Sequence, residues 1–246
     1  MTDKQLIFGM HSVEALLQRQ PDRASRIVVQ AERQDKKITA IISLAKASGI
    51  AVDQMPRAEL DRLTSDANHQ GVIAYCRKQH SFSESDLYAY LEKINEPPFL
   101  LILDGVQDPH NLGACFRSAD AAGVHAIIAP KDKAVGITPV VSKVACGAAE
   151  AVPFVQVTNL ARTIAALKEK GIWVYGAAGD APQSVYQTDL RGACAIVLGA
   201  EGSGMRRLTR DHCDALINIP MHGTVSSLNV SVATGVILFE VKRQRL

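Results

Sequence analysis

Aromatic residues are scarce in this 246-residue chain, at 5% with a single tryptophan, and aliphatics and alanine carry the apolar content instead. That balance suits helices packed on a buried sheet. No Cys-x-x-Cys pair occurs. Cys76, Cys115, Cys146, Cys194 and Cys213 are scattered, which argues against a zinc cage or a disulfide framework and for reduced thiols in the cytoplasm. No apolar run approaches the length of a membrane span, and the first residues are polar and charged. A soluble cytoplasmic protein with no membrane partner and no bound metal is the expectation. A strong charge of either sign is also missing. The formal net charge of +2 decides nothing about nucleic acid, because an RNA site needs a local basic surface and not a basic total. Nucleotide fingerprints are absent as well: a dinucleotide enzyme should show Gly-x-Gly-x-x-Gly after its first strand, whereas Gly199-x-x-Gly202-x-Gly204 follows a late one, and no Gly-x-x-x-x-Gly-Lys-Ser/Thr is present. A nicotinamide reductase and a phosphate-cradling P-loop are therefore disfavoured.

What is there begins with a change of composition. Residues 81 to 97 hold four acids against Lys93, a net of −3, while residues 1 to 80 carry twelve bases against nine acids, a net of +3. The serine- and proline-bearing stretch reads as a linker with room for a short helix around Leu87 to Ile94. Three segments follow: a first domain over 1–80, a linker over 81–97 and a second domain over 98–246. In the first, Val13, Leu16 and Leu17 form a helical stripe, as do Ile38, Ile41, Ile42 and Ala45, while Arg26 to Gln30, Ile50 to Asp53 and Val72 to Cys76 read as strands. Its Arg19, Arg23, Arg26, Arg33, Lys36 and Lys37 fall near turns and helix ends, either as solvated surface or as RNA contacts.

In the second domain, apolar runs recur at Phe99 to Leu103, His125 to Ala129, Val152 to Val157, Ile172 to Tyr175, Ala195 to Leu198 and Ala215 to Ile219, with helical patterns between most of them. Strands alternating with helices and few hairpin signals predict an α/β fold with a parallel sheet covered on both faces. Ligands in such sheets bind at the carboxyl ends of strands. Three of these strand exits carry the polar residues: Leu103 to Gly113, Ile196 to Gly204 and Ile219 to Ser231. They are expected to converge on one site.

Together the three exits resemble the three ordered motifs of the SpoU (TrmH) family of RNA ribose 2′-O-methyltransferases, within the SPOUT class. The first is similar to Asp108-Pro109-His110-Asn111-Leu112-Gly113-Ala114-Cys115-Phe116-Arg117-Ser118-Ala119, the second to Ile196 to Gly204, and the third to Ile219-Pro220-Met221 with Ser226-Ser227-Leu228-Asn229-Val230-Ser231-Val232-Ala233. Phe8-Gly9-Met10-His11-Ser12-Val13-Glu14-Ala15-Leu16-Leu17 and His69-Gln70-Gly71-Val72 resemble the start and end of the family's ribosomal-protein-L30e-like substrate-binding module. The resemblance implies a deep C-terminal trefoil knot, against ordinary topology rules, and S-adenosylmethionine as methyl donor. It implies a donor pocket built from Leu198, Gly199, Ala200, Gly202, Ile219, Met221, Ser226 and Leu228, with Gly199, Ile219 and Leu228 at its centre. Small residues there permit close backbone approach.

The resemblance also implies that Arg117 is the principal catalytic residue, with Asn111, Glu201, Ser227 and Asn229 around the acceptor ribose. A guanidinium stays protonated, so clamping a phosphate and polarising the 2′-OH is the more conservative role for Arg117 than abstracting a proton. Simpler readings stand beside these: Asn111, Ser227 and Asn229 as helix caps, Glu201 as a partner of a helix dipole, Ile219 and Leu228 as core. The implied substrate is a P-loop guanosine of 23S rRNA, near the peptidyl-transferase centre, free or in an assembling ribosomal particle. tRNA is the alternative within the family, and a catalytically silent RNA-binding protein the alternative outside it. Family members are homodimers with sites completed by both chains, and the last helix, Asn229 to Arg243, has an apolar stripe that suits either internal packing or such an interface.

Overall fold

A computed structural model of the protein describes residues 4–33, 35–65, 67–77 and 82–246. The first part of the chain forms β1 (Lys4–Phe8), α1 (Met10–Arg19), β2 (Ala24–Gln30), α2 (Lys36–Ala47), β3 (Ala51–Met55), α3 (Arg57–Leu63) and β4 (Val72–Arg77). After it come α4 (Glu84–Leu91), β5 (Phe99–Asp104), α5 (Pro109–Ala122), β6 (Ala126–Pro130), α6 (Pro139–Ala145), α7 (Ala148–Ala151), β7 (Phe154–Val157) and α8 (Leu160–Glu169). The chain ends with β8 (Trp173–Ala177), β9 (Gln183–Ser184), β10 (Cys194–Gly199), α9 (Arg207–His212), β11 (Ala215–Asn218) and α10 (Val230–Gln244). Two compact units result, one of residues 1–80 with 139–151 and one of residues 81–138 with 152–246.

The first unit holds a four-stranded sheet in the order β1-β4-β2-β3. β4 runs antiparallel to both neighbours, and β2 and β3 are parallel. Val13, Leu16 and Leu17 of α1 and Ile38, Ile41 and Ala45 of α2 close a core over Ile27, Val29, Val72 and Ala74. The Asp35 carboxylate starts α2 by accepting the amides of Lys37 and Ile38. β1 and α3 are additions to the sequence reading. β1 is defined by its pairing with β4, far along the chain, and α3 buries only Leu60, so neither shows a local stripe. Residues 139–151 lie in the sequence next to the second domain yet group with this unit. Gly147, at φ +95°, brings the turn before α7 so close to α1 that a Cβ would stand 2.6 Å from the Ala15 Cβ, and the Gln20 amide donates to the Glu150 carbonyl at 2.6 Å.

In the second unit seven strands run in the order β7-β6-β5-β10-β8-β11-β9, and every pairing is parallel. Neighbouring residues of a strand point to opposite faces, and β7 shows both coverings at once. Val155 packs in the cluster with Leu87 of α4 and Ile164 of α8, while Phe154 meets Phe116 of α5 at 5.4 Å between ring centres. On the α5 face lies α10, tied to it where the Cys115 thiol meets the Thr234 hydroxyl at 3.3 Å. The expected parallel sheet with helices on both faces is thus present. The acidic stretch contains α4, opened by a capping box between Ser83 and Asp86, and its Leu87 and Leu91 are buried against the sheet; residues 78–81 lie outside the described part. Burial pushes the thiols of Cys76, Cys115, Cys194 and Cys213 up to about 11, so none is a thiolate nucleophile at neutral pH. No helix among the described residues is long and apolar enough to cross a membrane.

Candidate active site

Strand order reverses between β5 and β10, the kind of place where parallel sheets open a crevice at their carboxyl ends. Parallel register brings the exits level: Asp104 stands opposite Gly199, and Ile217 opposite Ala177. β10 is apolar and buried until Gly199, where the chain must turn. A Cβ on Gly199 would lie 2.0 to 2.3 Å from the backbone of Gly204 and Met205, so only glycine lets the following loop fold back. That loop closes through the Ala200 amide donating to the Gly204 carbonyl at 3.1 Å and the reverse bond at 2.9 Å, with Gly202 at φ +78° and Gly204 at φ +66°.

A cavity of about 360 Å³ opens beside this loop. All of Leu198, Gly199, Ala200, Gly202, Ile219, Met221, Ser226 and Leu228 line it, and so do Glu201 and Ser227. Hence Ile219 and Leu228 are not fully enclosed core; each keeps partial exposure. Ile217, Val230, Ala233 and Ile237 form the apolar floor.

Two further candidates join the cavity through hydrogen bonds. The Asn229 side-chain amide donates to the Asn111 carbonyl oxygen at 3.0 Å and also to the Glu201 carboxylate. Its own carbonyl oxygen accepts the Ser231 amide at 2.9 Å and caps α10. Asn229 is therefore a cap and a bridge together. The cap reading fails for Asn111 and Ser227. Asp108 caps α5 by accepting the amides of His110 and Asn111, with Pro109 in the first helical position, which leaves the Asn111 side chain free to meet Asn229. The helix-dipole reading of Glu201 fails as well: the next helix, α9, begins only at Arg207, and Glu201 sits in the intervening turn.

Arg117 stands apart. It is exposed on α5 and has no ion-pair or hydrogen-bond partner among the described residues. Six residues from Asn111, it is turned by about 600° of helical rotation, or roughly 120° around the axis, so the two side chains leave different faces.

Two features carry no role in the sequence reading. The exit of β8, Ala177-Ala178-Gly179-Asp180, supplies another wall of the cavity, with Asp180 paired to Arg210 at 2.9 and 3.0 Å. Those hydrogen bonds hold the Asp180 carboxyl below its ordinary range. The signal was available, since this exit shares the small residues of the other three. The second is Asp104, 1% exposed at the end of an apolar strand. Its carboxylate accepts the Arg206 amide at 2.8 Å and lies 3.5 Å from the Arg206 Nε, while the Arg206 guanidinium donates to the Asp132 carbonyl at 3.1 Å. An acid so placed fixes the far end of the glycine loop to the exit of β5.

This cavity has no lysine, histidine or cysteine in its lining. Its small residues expose backbone amides and carbonyls, which can read the edge of a heterocycle without charged side chains. A model described as the SpoU rRNA Methylase family matches residues 98–239. The chain belongs to the SpoU rRNA methylase family. A second model, described as RNA 2′-O ribose methyltransferase substrate binding, matches residues 6–82. Among curated relatives, the 23S rRNA (guanosine-2′-O-)-methyltransferase RlmB of Shewanella oneidensis is 55% identical over 100% of this chain and 99% of its own. RlmB of Escherichia coli strain K12 is 52% identical over 98% of this chain and 99% of its own. A solved SpoU methyltransferase, AviRb from Streptomyces viridochromogenes in complex with the cofactor AdoMet, superposes with a TM-score of 0.81 at 22% identity, covering 99% of this chain and 91% of that one; it shares the fold. In this SpoU chain the loops of the second and third motifs are strand exits that form the cavity, whereas the exit Leu103 to Gly113 does not line it and meets it only through the hydrogen bond between Asn111 and Asn229. The cavity fits a compact adenine-bearing ligand by its size, its small residues and its apolar floor.

Proposed function

We propose that this chain transfers a methyl group from S-adenosylmethionine to the ribose 2′-OH of a guanosine in 23S rRNA, the P-loop guanosine near the peptidyl-transferase centre. One observation carries the reading: the loops of the second and third motifs wall a single cavity, and the first motif is tied to its edge where Asn229 donates to both Asn111 and Glu201. The near full-length likeness to the two RlmB proteins supports 23S rRNA as the substrate.

S-adenosylmethionine, when bound, supplies a methyl group on a cationic sulfur. Leu198, Gly199, Ala200, Gly202, Ile219, Met221, Ser226 and Leu228 hold it, largely through backbone groups, and Ile219 and Leu228 exclude water. Asn229 fixes Glu201, and Asn111 fixes Asn229, so that the acid, the amide and Ser227 present defined donors and acceptors to the ribose. Holding the hydroxyl oxygen in line supplies much of the rate in such a displacement. Arg117 clamps the target phosphate through its planar fork of donors and polarises the 2′-OH, and the proton passes to a phosphate oxygen or to water.

The protein acts in this reading as a cytoplasmic homodimer. Val232 and Phe239 are exposed on α10, at 51% and 50%, which suits an apolar subunit contact. An exposed, unpaired Arg117 suits a site completed by the other subunit. The C-terminal segment that carries Ile219 to Leu228 belongs to the SPOUT trefoil knot, residues 98–246 form the catalytic domain, residues 81–97 the linker, and residues 1–80 an L30e-like RNA-binding domain. The test is direct: incubate the protein with labelled S-adenosylmethionine and undermethylated 23S rRNA or tRNA, then map the 2′-O-methyl nucleotide. Label at a single guanosine of 23S rRNA is expected. Label in tRNA alone would overturn the substrate, and no label in either would overturn the activity.

A further inference from the structure

A second cleft, of about 580 Å³, lies wholly within the first unit, between the end of β2, the start of α2, α3 and the turn before β4. Its wall is unusually fixed for a loop. His69 is 4% exposed, its Nδ1 accepts the Gly71 amide at 3.0 Å and its Nε2 faces the Asp61 carboxylate at 2.9 Å. That pairing assigns the proton to Nε2, which donates to Asp61. Gln70 and Gly71 follow at φ +53° and +78°, a left-handed pair that only a well-braced turn sustains. The bracing is visible: Gln70 Oε1 accepts the Met10 amide at 3.0 Å, and the Gln70 carbonyl accepts from the Arg33 guanidinium at 2.6 Å. A Cβ on Gly71 would lie 2.8 Å from Arg33 Nη1, so the guanidinium is seated on the turn.

Lys37 and Arg57 also line the cleft. Arg57 is 72% exposed and only 3.8 Å from Asp61, and Lys37 has no ion-pair partner among the described residues. Arg33 is paired with the Asp35 carboxylate at 2.5 Å, which leaves Lys37 and Arg57 as the cations open to a ligand against the Asp61 carboxylate, and the side-chain amides of Gln30 and Asn68 stand among them. Cations answer phosphates; amides, with donor and acceptor on one group, answer base edges. No phenylalanine, tyrosine or tryptophan lines the cleft, and the His69 ring is buried, so recognition there runs through charge and hydrogen bonds and not through stacking.

We propose that this cleft is a subsite for one unpaired nucleotide of the substrate RNA, with its phosphate held by Lys37 and Arg57 and its base edge met by Gln30 and Asn68. The proposal rests on the methyltransferase reading and adds the part of the first unit that grips the RNA. An unpaired nucleotide is required because the Watson–Crick edges of duplex RNA are taken up in pairing and its major groove is too narrow for side chains, whereas a splayed-out base offers a free edge.

The probe is an unmethylated 23S rRNA transcript, used with the full-length protein. In Lys37→Ala/Arg57→Ala, KM for the transcript should rise about tenfold or more with kcat unchanged, and the dependence of log affinity on log salt should flatten by roughly 0.7 for each phosphate no longer neutralised. Asn68→Ala should weaken binding several-fold with the salt slope unchanged. Lys37→Arg/Arg57→Lys, which keeps both charges, should retain affinity, and binding of S-adenosylhomocysteine should be the same in all variants. Wild-type KM and salt slope in the double alanine variant would overturn the subsite. A wild-type protein that binds the transcript but transfers no methyl would instead overturn the activity, and filter binding of the same variants would still decide the cleft.

Discussion

The cavity at the strand exits of the second unit and the cleft of the first unit are lined by opposite means. The one at the strand exits is walled mainly by glycine, alanine, serine and aliphatics, with Glu201 and the paired Asp180 and Arg210 as its charged groups. The cleft of the first unit is walled by side chains, three of them cationic and several bearing amides. A cavity whose charges are few, with Asp180 and Arg210 paired to each other, suits a compact ligand taken up whole; a cleft with more cations than acids suits a polyanion of which only a piece enters. The division of labour between the SpoU module and the substrate-binding module is therefore legible in lining chemistry alone.

Breaking either side should produce different losses. The largest is expected at Arg117. Arg117→Ala should lower kcat by about 10² to 10³, the usual scale for removing one preorganised charge at a reacting centre. Arg117→Lys should rescue little, because a point charge does not replace a bidentate fork. If Arg117 serves the partner's site, mixing Arg117→Ala with a cavity-defective Gly199→Ala subunit should restore activity that neither variant has alone. Next comes Gly199→Ala, whose Cβ collides with backbone. Overpacking of this kind costs about 1 to 3 kcal/mol, which calorimetry should read as roughly ten- to a hundredfold weaker binding of S-adenosylhomocysteine. Asn229→Ala removes a cap worth about 1 kcal/mol together with the bridge between Asn111 and Glu201, and a fall in kcat of roughly tenfold is expected, larger than its effect on donor affinity.

A last prediction lies outside both cavities and touches stability and not catalysis. Burial raises the Glu150 carboxyl, in α7 of the first unit, to about 7. A carboxyl whose folded value exceeds its unfolded one binds more protons when folded, so stability falls as pH rises from about 4.5 to about 7. The cost above that window is on the order of 3 kcal/mol. Thermal melts of the wild type should drop across that interval, and Glu150→Gln should flatten the drop.

How much of this was legible in the sequence depends on whether the information was local. Six apolar runs of the second domain became β5, β6, β7, β8, β10 and β11; β5, β6 and β10 are buried along nearly their whole length, as central parallel strands are, while β7, β8 and β11 alternate or are partly exposed. β9, two residues long, and β1, defined by its partner, carry no such signal. The cavity residues were legible because motif loops leave strands at one end of one sheet. What the sequence concealed were relations across the chain: the Asp104 carboxylate under Arg206, 102 residues away, and the cap role of Asn111, which passed to Asp108 because Pro109 occupies the first helical position. The docking of residues 139–151 with the first unit was hidden for the same reason.

Calorimetry with S-adenosylhomocysteine tests the central claim most directly, comparing wild type, Arg117→Ala and Gly199→Ala under conditions that preserve the native assembly. The account predicts saturable binding to wild type, the same affinity in Arg117→Ala, and a loss of ten- to a hundredfold in Gly199→Ala. No heat with the wild-type protein, or a Gly199→Ala protein that binds as tightly, would contradict it.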